Sequence, residues 1–211
     1  METLQSDSRT RMDSRSRILE AARDEFLRKG YRAASLRDIA QTAGVTTGSF
    51  YWHFKNKADL FEALTGPHVQ AVMALYDQAE LQFEQLTPPQ QRHKMGEIGA
   101  ACAEQMLHYM YQHLSAFKIL FRAAAGTRYE TFVHDLTQKE IVSTNRYLAQ
   151  LQQEGQPVSE LDPWFPHLVV SGMFTAMFEM IIHGLPEDRA LACLRQLTAF
   201  YTAGWRNIMG L

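Results

Sequence analysis

Two short helix signatures follow one another with a single residue between them. The first is "SLRDIAQTAG", residues 35–44. Ser35 is a good N-cap, and Asp38 stands three residues on in a capping-box-like position. Leu36, Ile39, Ala40 and Ala43 recur at helical spacing and share a face. Gly44 suits the left-handed position that closes a helix. Only Val45 lies between it and Thr46, the next N-cap candidate. A short helix, a glycine-bearing turn and a second short helix form the helix-turn-helix layout.

The second helix opens "TTGSFYWHFKNKADLF", residues 46–61. Hydroxyls, rings and lysines rarely share a segment this short. On a helix, Val45, Phe50 and Phe54 pack inward. Thr46, Thr47, Gly48 and Ser49 are left on the far side. Short side chains at a helix N-terminus can approach base edges in a DNA major groove. Tyr51 and His53 can donate to phosphates, and Lys55 and Lys57 supply charge where the backbone passes.

Charge is distributed to match. The whole chain carries a net −2, yet residues 9–57 carry +6 and residues 58–211 carry −6. A basic front and an acidic back fit a front that meets a polyanion.

The remainder reads as helices, and no segment reads as strand. The expected fold class is all-α, with about nine helices. The expected domains are a helix-turn-helix domain over 11–66 and a larger helical domain over 67–211. "SRSRILEAARDEFLRKGY" is the first helix, stopped at Gly30. Gly66-Pro67 predicts a kink in the long fourth helix. No run of about 18 apolar residues is apparent, so no membrane span is expected. The polar N-terminus argues against secretion, and Cys102 and Cys193 lack zinc or redox spacing. A cytoplasmic protein with free thiols is expected. No nucleophile elbow, phosphate loop, metal motif or paired carboxylates are found, so neither an enzyme nor a cofactor is expected.

Residues 17–64, "RILEAARDEFLRKGYRAASLRDIAQTAGVTTGSFYWHFKNKADLFEAL", resemble the TetR family of transcriptional regulators. The resemblance rests on "ILEAA…F…GY", "SLRDIAxxAGV" and "YWHFKNKxDL" and covers about a quarter of the chain. It implies a two-domain helical homodimer whose N-terminal domain binds operator DNA and whose larger domain binds a small-molecule effector that releases it. By motif position, it implies that Ser35 reaches a phosphate and Arg37 contacts a base. Thr47, Gly48 and Ser49 would face the groove, with Tyr51, His53 and Lys57 holding the backbone. Trp52 fits a DNA contact and a ring packed on neighbouring helices equally well. Arg9, Arg11, Arg15 and Arg17 suit phosphate or minor-groove contacts, though a solvated tail fits the first two better. The expected role is a repressor released by a small hydrophobic ligand, with activation not settled by sequence and an architectural DNA binder without a ligand as the alternative.

In the larger domain, Phe165, Val169, Gly172 and Ala176 form a stripe with small residues at its middle. Leu194, Leu197, Tyr201 and Trp205 form an apolar face on the last helix. Two such helices suit a four-helix dimer interface. Met106, Tyr109, Met110 and Phe117 are candidate pocket residues, as are Phe121, Met173, Phe174, Met177 and Phe178. A Met- and Phe-rich lining adapts to varied apolar ligands, although the same pattern also suits plain core. Glu104–His108 and Glu179–His183 are i,i+4 pairs that could form a salt bridge or part of a metal site; no metal is expected. The fourth helix is expected to be the only link between the DNA end and this pocket.

Overall fold

The computed structural model describes residues 13–211, with nine helices and no strand among them. The first three are α1 (Ser14–Ala33), α2 (Leu36–Thr42) and α3 (Thr47–His53). Asp13 caps α1, its Oδ1 accepting from the Ser16 amide at 2.7 Å. Gly30 takes φ 74°, leaving helical geometry three residues before the assigned end of α1. Arg9 and Arg11, and the start of the 11–66 domain, lie outside the described residues. Ile18, Ala22, Phe26, Ile39 and Phe50 are almost fully buried between these helices. The Phe26 ring meets Phe61 of the next helix edge-on at 5.3 Å.

That helix, α4 (Lys57–Glu84), runs 28 residues without interruption, with Pro67 inside it. As the sequence reading allowed, one long helix carries Gly66-Pro67 in its interior. A proline removes one ladder bond and crowds the preceding turn, and here the surrounding packing holds the helix through that fault. At about 1.5 Å per residue, α4 extends roughly 40 Å.

α5 (Pro88–Gln112), α6 (Leu114–Ala123), α7 (Phe132–Gln153), α8 (Phe165–Ile182) and α9 (Glu187–Met209) complete the chain. α5 packs between α4 and α9, and α7 lies along α8. The short α6 lies against α1, α4 and α8, so one apolar core runs from the N-terminal helices into the larger bundle. This corrects the expectation that α4 alone links the two ends: α1 rests along α6 as well. Polar contacts close the same junction. Tyr129 Oη donates to Glu62 Oε2 at 2.7 Å, and the Arg128 guanidinium meets Glu62 at 2.5 Å. Gly66 makes room for this cluster, since a Cβ there would stand 2.9 Å from Tyr129 Oη and closer still to Glu62.

The expectation of no membrane-length apolar segment also needs correcting. α8 is 18 residues long with mean hydropathy 1.5, long and apolar enough by composition to cross a bilayer. It packs here against α5, α6, α7 and α9. A helix apolar on nearly all sides is what a position between four neighbours requires.

Candidate nucleic-acid interface and cavity

Three N-caps set up the N-terminal surface. Ser35 Oγ accepts from the Asp38 amide at 3.2 Å, Thr46 Oγ1 from the Ser49 amide at 3.1 Å, and Asn56 Oδ1 from the Asp59 amide at 2.8 Å. Gly44, at φ 62°, turns the chain between α2 and α3, and the Val45 amide closes back on Ala40 O at 3.0 Å. Phe50 and Phe54 are buried beneath α3, at 1% and 3% exposure. Thr46, Thr47, Gly48, Tyr51 and Trp52 are exposed, as are Arg37 and Lys55, while Ser49 and His53 are half-buried. Hydroxyls, backbone amides and bases thus surround the start of one short helix.

Trp52 is 82% exposed, which excludes packing against neighbouring helices. Its one aromatic neighbour among the described residues is His53, edge-on at 4.6 Å. Arg15 and Arg17 are both exposed, and the Arg15 guanidinium lies over the Phe54 ring at 5.5 Å. Lys57 is more engaged than a surface base. Its Nζ donates to Arg32 O and Ala34 O, both at 3.0 Å, and stands 4.8 Å from the Tyr31 ring centre. Gly30 ends the regular part of α1, and Lys57 satisfies carbonyls that the break leaves open.

Sequence reasoning missed Glu25. This buried carboxylate accepts from Lys29 Nζ at 2.7 Å and from the Ser35 amide at 3.4 Å, and pairs with Arg28. The Lys29 hydrogen bond holds its carboxyl below the ordinary glutamate range. Lys29 also meets Asp38 at 3.0 Å, so α1 fixes where α2 begins.

The larger domain holds a partly open cavity of about 190 Å³ between α4, α5, α7, α8 and α9. Met106, Met173, Phe174 and Met177 line it, as expected from the sequence. The other candidates stand elsewhere. Met110 and Phe117 are fully buried core. Tyr109 instead hydrogen-bonds His68 Nδ1 at 3.0 Å beside the His113 ring. Burial, followed by the His113 charge, keeps His68 below its ordinary range. Phe121 and Phe178 stack at 4.7 Å in the wall of a separate hollow. The cavity's missed walls are Tyr76, Glu80 and Phe83 of α4 and Glu140, Thr144 and Tyr147 of α7.

Glu140 accepts from Tyr76 Oη at 2.8 Å and from Thr144 Oγ1 at 3.3 Å. Burial pushes its carboxyl above the ordinary range, and the nearby Glu80 charge adds to this. Burial also raises the Cys102 thiol, to about 12. Tyr147 is 7% exposed, and its hydroxyl has no hydrogen-bond partner among the described residues.

The candidate dimer face is also redrawn. Leu194 is 1% exposed and belongs to the core of its own chain. Trp205 and Tyr201 contribute to the cavity wall, and Gly172 accommodates Tyr201, whose Oη would lie 3.1 Å from a Cβ there. Phe165, Val169, Ala176 and Leu197 are half-buried. On and beside α8 and α9, the large apolar side chains left in solvent are Trp164, Leu168 and Phe200, at 68%, 64% and 74% exposure. The i,i+4 pairs diverge too. Glu104 binds Arg195 at 2.9 Å and His108 binds Glu187 at 2.7 Å, while Glu179 and His183 do meet, at 2.7 Å. No group of three metal-ligating side chains occurs among the described residues.

Residues 18–64, the three short helices and the start of α4, match the family described as bacterial regulatory proteins, tetR family. Residues 18–64 thus carry a TetR-family domain. The HTH-type transcriptional regulator TtgR of Pseudomonas putida is 50% identical over 52 residues. That stretch is 25% of this chain and 25% of the relative, so the match spans about a quarter of that protein's length. A probable acrEF/envCD operon repressor of Escherichia coli K12 is 25% identical over 172 residues, covering 80% of this chain and 76% of its own. The crystal structure of the TetR-family regulator PfmR from Thermus thermophilus shares the fold. It has a TM-score of 0.57 at 20% identity, over 90% of this chain and 96% of that one. Within the TetR domain the likeness extends to sequence, whereas the cavity-bearing helices share mainly the fold.

Proposed function

We propose that this chain is a sequence-specific transcriptional regulator of the TetR family, acting as a repressor. In this reading it binds palindromic double-stranded operator DNA as a homodimer and is released by a small-molecule effector. Residues 11–66 read the DNA, and residues 67–211 carry the effector site and the dimer face. The work is done by binding rather than by catalysis, in the cytoplasm on nucleoid DNA.

The observation that carries the reading is the first turn of α3. Thr46, Thr47 and Gly48 are exposed at a helix N-terminus whose opposite side is anchored by buried Phe50 and Phe54. Short side chains and free amides there can reach base edges, while Tyr51, His53 and Lys55 stand where the phosphates would pass. One short helix reads only a few base pairs. Useful specificity therefore calls for two, about 34–36 Å apart, which supports a symmetric dimer and a palindromic site. Exposed Trp164, Leu168 and Phe200 supply an apolar face for it. The Escherichia coli relative's description as an operon repressor supports repression over activation.

The cavity favours an effector-controlled regulator over an architectural binder. α4 lines the cavity with Tyr76, Glu80 and Phe83 and carries Lys57 into the DNA-reading unit. About 28 Å of rigid helix separates Lys57 from Tyr76 at 1.5 Å per residue. A ligand that spreads α4 from α7 would tilt that lever, and α6 would pass the same displacement to α1. The shift can only be as large as the ligand's preference between the two states, typically about 5–150-fold in DNA affinity.

Selection from random duplex DNA, followed by footprinting, tests the reading. The expected result is an enriched inverted repeat protected on one face at two half-sites. Retention of DNA with no enriched sequence would overturn it in favour of an architectural role.

A further inference from the structure

The start of α2 is capped from another helix. In a complete capping box the two partners stand three residues apart, as at α5, where Gln90 Oε1 accepts from the Thr87 amide at 3.0 Å. Ser35 and Asp38 have the same spacing, but only half of the box forms. Ser35 Oγ accepts from the Asp38 amide, while the Asp38 carboxylate turns to Lys29 of α1 at 3.0 Å. The Ser35 amide goes instead to Glu25 Oε1 on α1, at 3.4 Å. Lys29 Nζ closes the ring, 2.7 Å from Glu25. A box shared between two helices thus replaces the local one.

Little else fixes α2 in place. It has seven residues, too few to hold a helix alone. Its buried apolar side chains are Ile39, Ala40 and Ala43. Apolar burial has no direction, so two alanines and an isoleucine leave the rotation and sliding of the helix loosely defined. Hydrogen bonds and ion pairs have set geometry and define both. The link from α1 is pinned from its other side by Lys57, whose Nζ donates to Arg32 O and Ala34 O. Glu25 is 5% exposed, and Lys29 and Arg28 meet its charge. A buried ion pair adds little stability over an apolar side chain of the same size, and its best-attested use is to fix register. Arg37, the candidate base contact, stands exposed immediately before Asp38. Two parallel hydrogen bonds to a base edge demand placement within about 0.5 Å.

We propose that Glu25 is a positioning residue for base reading: through the Ser35 amide and the Lys29–Asp38 pair it sets where α2 presents Arg37 to the operator. The proposal rests on the reading of this chain as a sequence-specific regulator and names a residue that decides its specificity from inside the domain. Glu25 itself has too little exposed surface to meet DNA.

Competition titrations test this, with the inverted repeat that selection enriches and its single-base-pair variants as duplexes. Glu25→Gln keeps the shape and removes the charge. It should cut discrimination at least about fivefold at the base pairs that Arg37→Ala affects, and leave other positions as they were. A loss of folded protein weakens binding to every duplex alike and cancels in the ratio of affinities; misplacement of α2 does not cancel. In the Arg37→Ala background, Glu25→Gln should have no further effect at those base pairs. Asp38→Asn changes a half-exposed side chain and leaves its amide capped by Ser35. It should give the same local loss with little change in Tm, an arm that stands if Glu25→Gln fails to fold. Full discrimination in either folded variant, a loss spread evenly over all positions, or additive effects with Arg37→Ala would each overturn the proposal. If selection enriches no sequence, the regulator reading fails and the proposal with it, whereas wild-type discrimination that survives Glu25→Gln sinks the proposal alone.

Discussion

Replacing Lys57 with methionine keeps the apolar stem and removes the ammonium. Arg32 O and Ala34 O, each 3.0 Å from Nζ, then lose a charged donor, and the Tyr31 ring loses a cation 4.8 Å away. A hydrogen bond to a charged group contributes about 1.5–3 kcal/mol net. The bond to Arg32 lies on the exposed side, where water replaces much of it, while the bond to Ala34 is partly buried. Ring contact adds about 0.5–1 kcal/mol. The expected cost is therefore about 2–3 kcal/mol, a fall of roughly 5–10 °C in Tm for a chain of this size. A lysine that served only a phosphate would behave differently. Its loss would leave the Tm of the free protein alone and reduce the salt slope of DNA binding by about 0.9. Thermal unfolding without DNA, beside binding titrations across salt, separates the two. An unchanged Tm together with the full loss in slope would refute the structural role argued here.

Other expectations follow from the same geometry. Glu140 has a raised carboxyl, so its contribution to stability is fully present below the unfolded glutamate value, about pH 4.3, and is lost as pH rises through the folded one. Glu140→Gln should accordingly flatten the decline in Tm above that pH, and an unchanged pH profile would count against the burial argument. Phe200→Glu should give a folded monomer in sedimentation, because Phe200 is 74% exposed and contributes little to its own chain's core; an unaltered dimer would place the interface elsewhere. Arg37→Ala should cost about 1–3 kcal/mol and relax preference at particular operator positions, whereas Lys55→Ala should weaken all sequences alike. Titrations against operator variants distinguish these, and a uniform loss for Arg37→Ala would remove it from base reading.

The N-terminal unit was legible because its signals are local. Ser35, Thr46 and Asn56 cap helices within three residues of themselves, and Gly44 takes the left-handed turn that its lack of a Cβ permits. Helical period then decides that Phe50 and Phe54 turn inward while Thr47 and Tyr51 do not. Even here sequence stopped short. Lys57 and Arg15 read as surface bases, yet one closes the end of α1 and the other lies over Phe54. Those partners lie 23–25 and 39 residues away, beyond the reach of any local pattern.

In the larger domain the sequence by itself determined helices and little about their faces. α8 is apolar on nearly every side, so its period cannot say whether Met177 meets a cavity and Phe178 a neighbouring core, or the opposite. Glu140 reads as one charged residue among several on α7, and only tertiary packing half-buries it beside Tyr76 of α4. Tyr147 looks like ordinary core until packing leaves its hydroxyl without a partner. Cavities and buried charges arise from the mismatch between surfaces that meet. Tertiary structure decided them, because no single helix contains both sides of the contact.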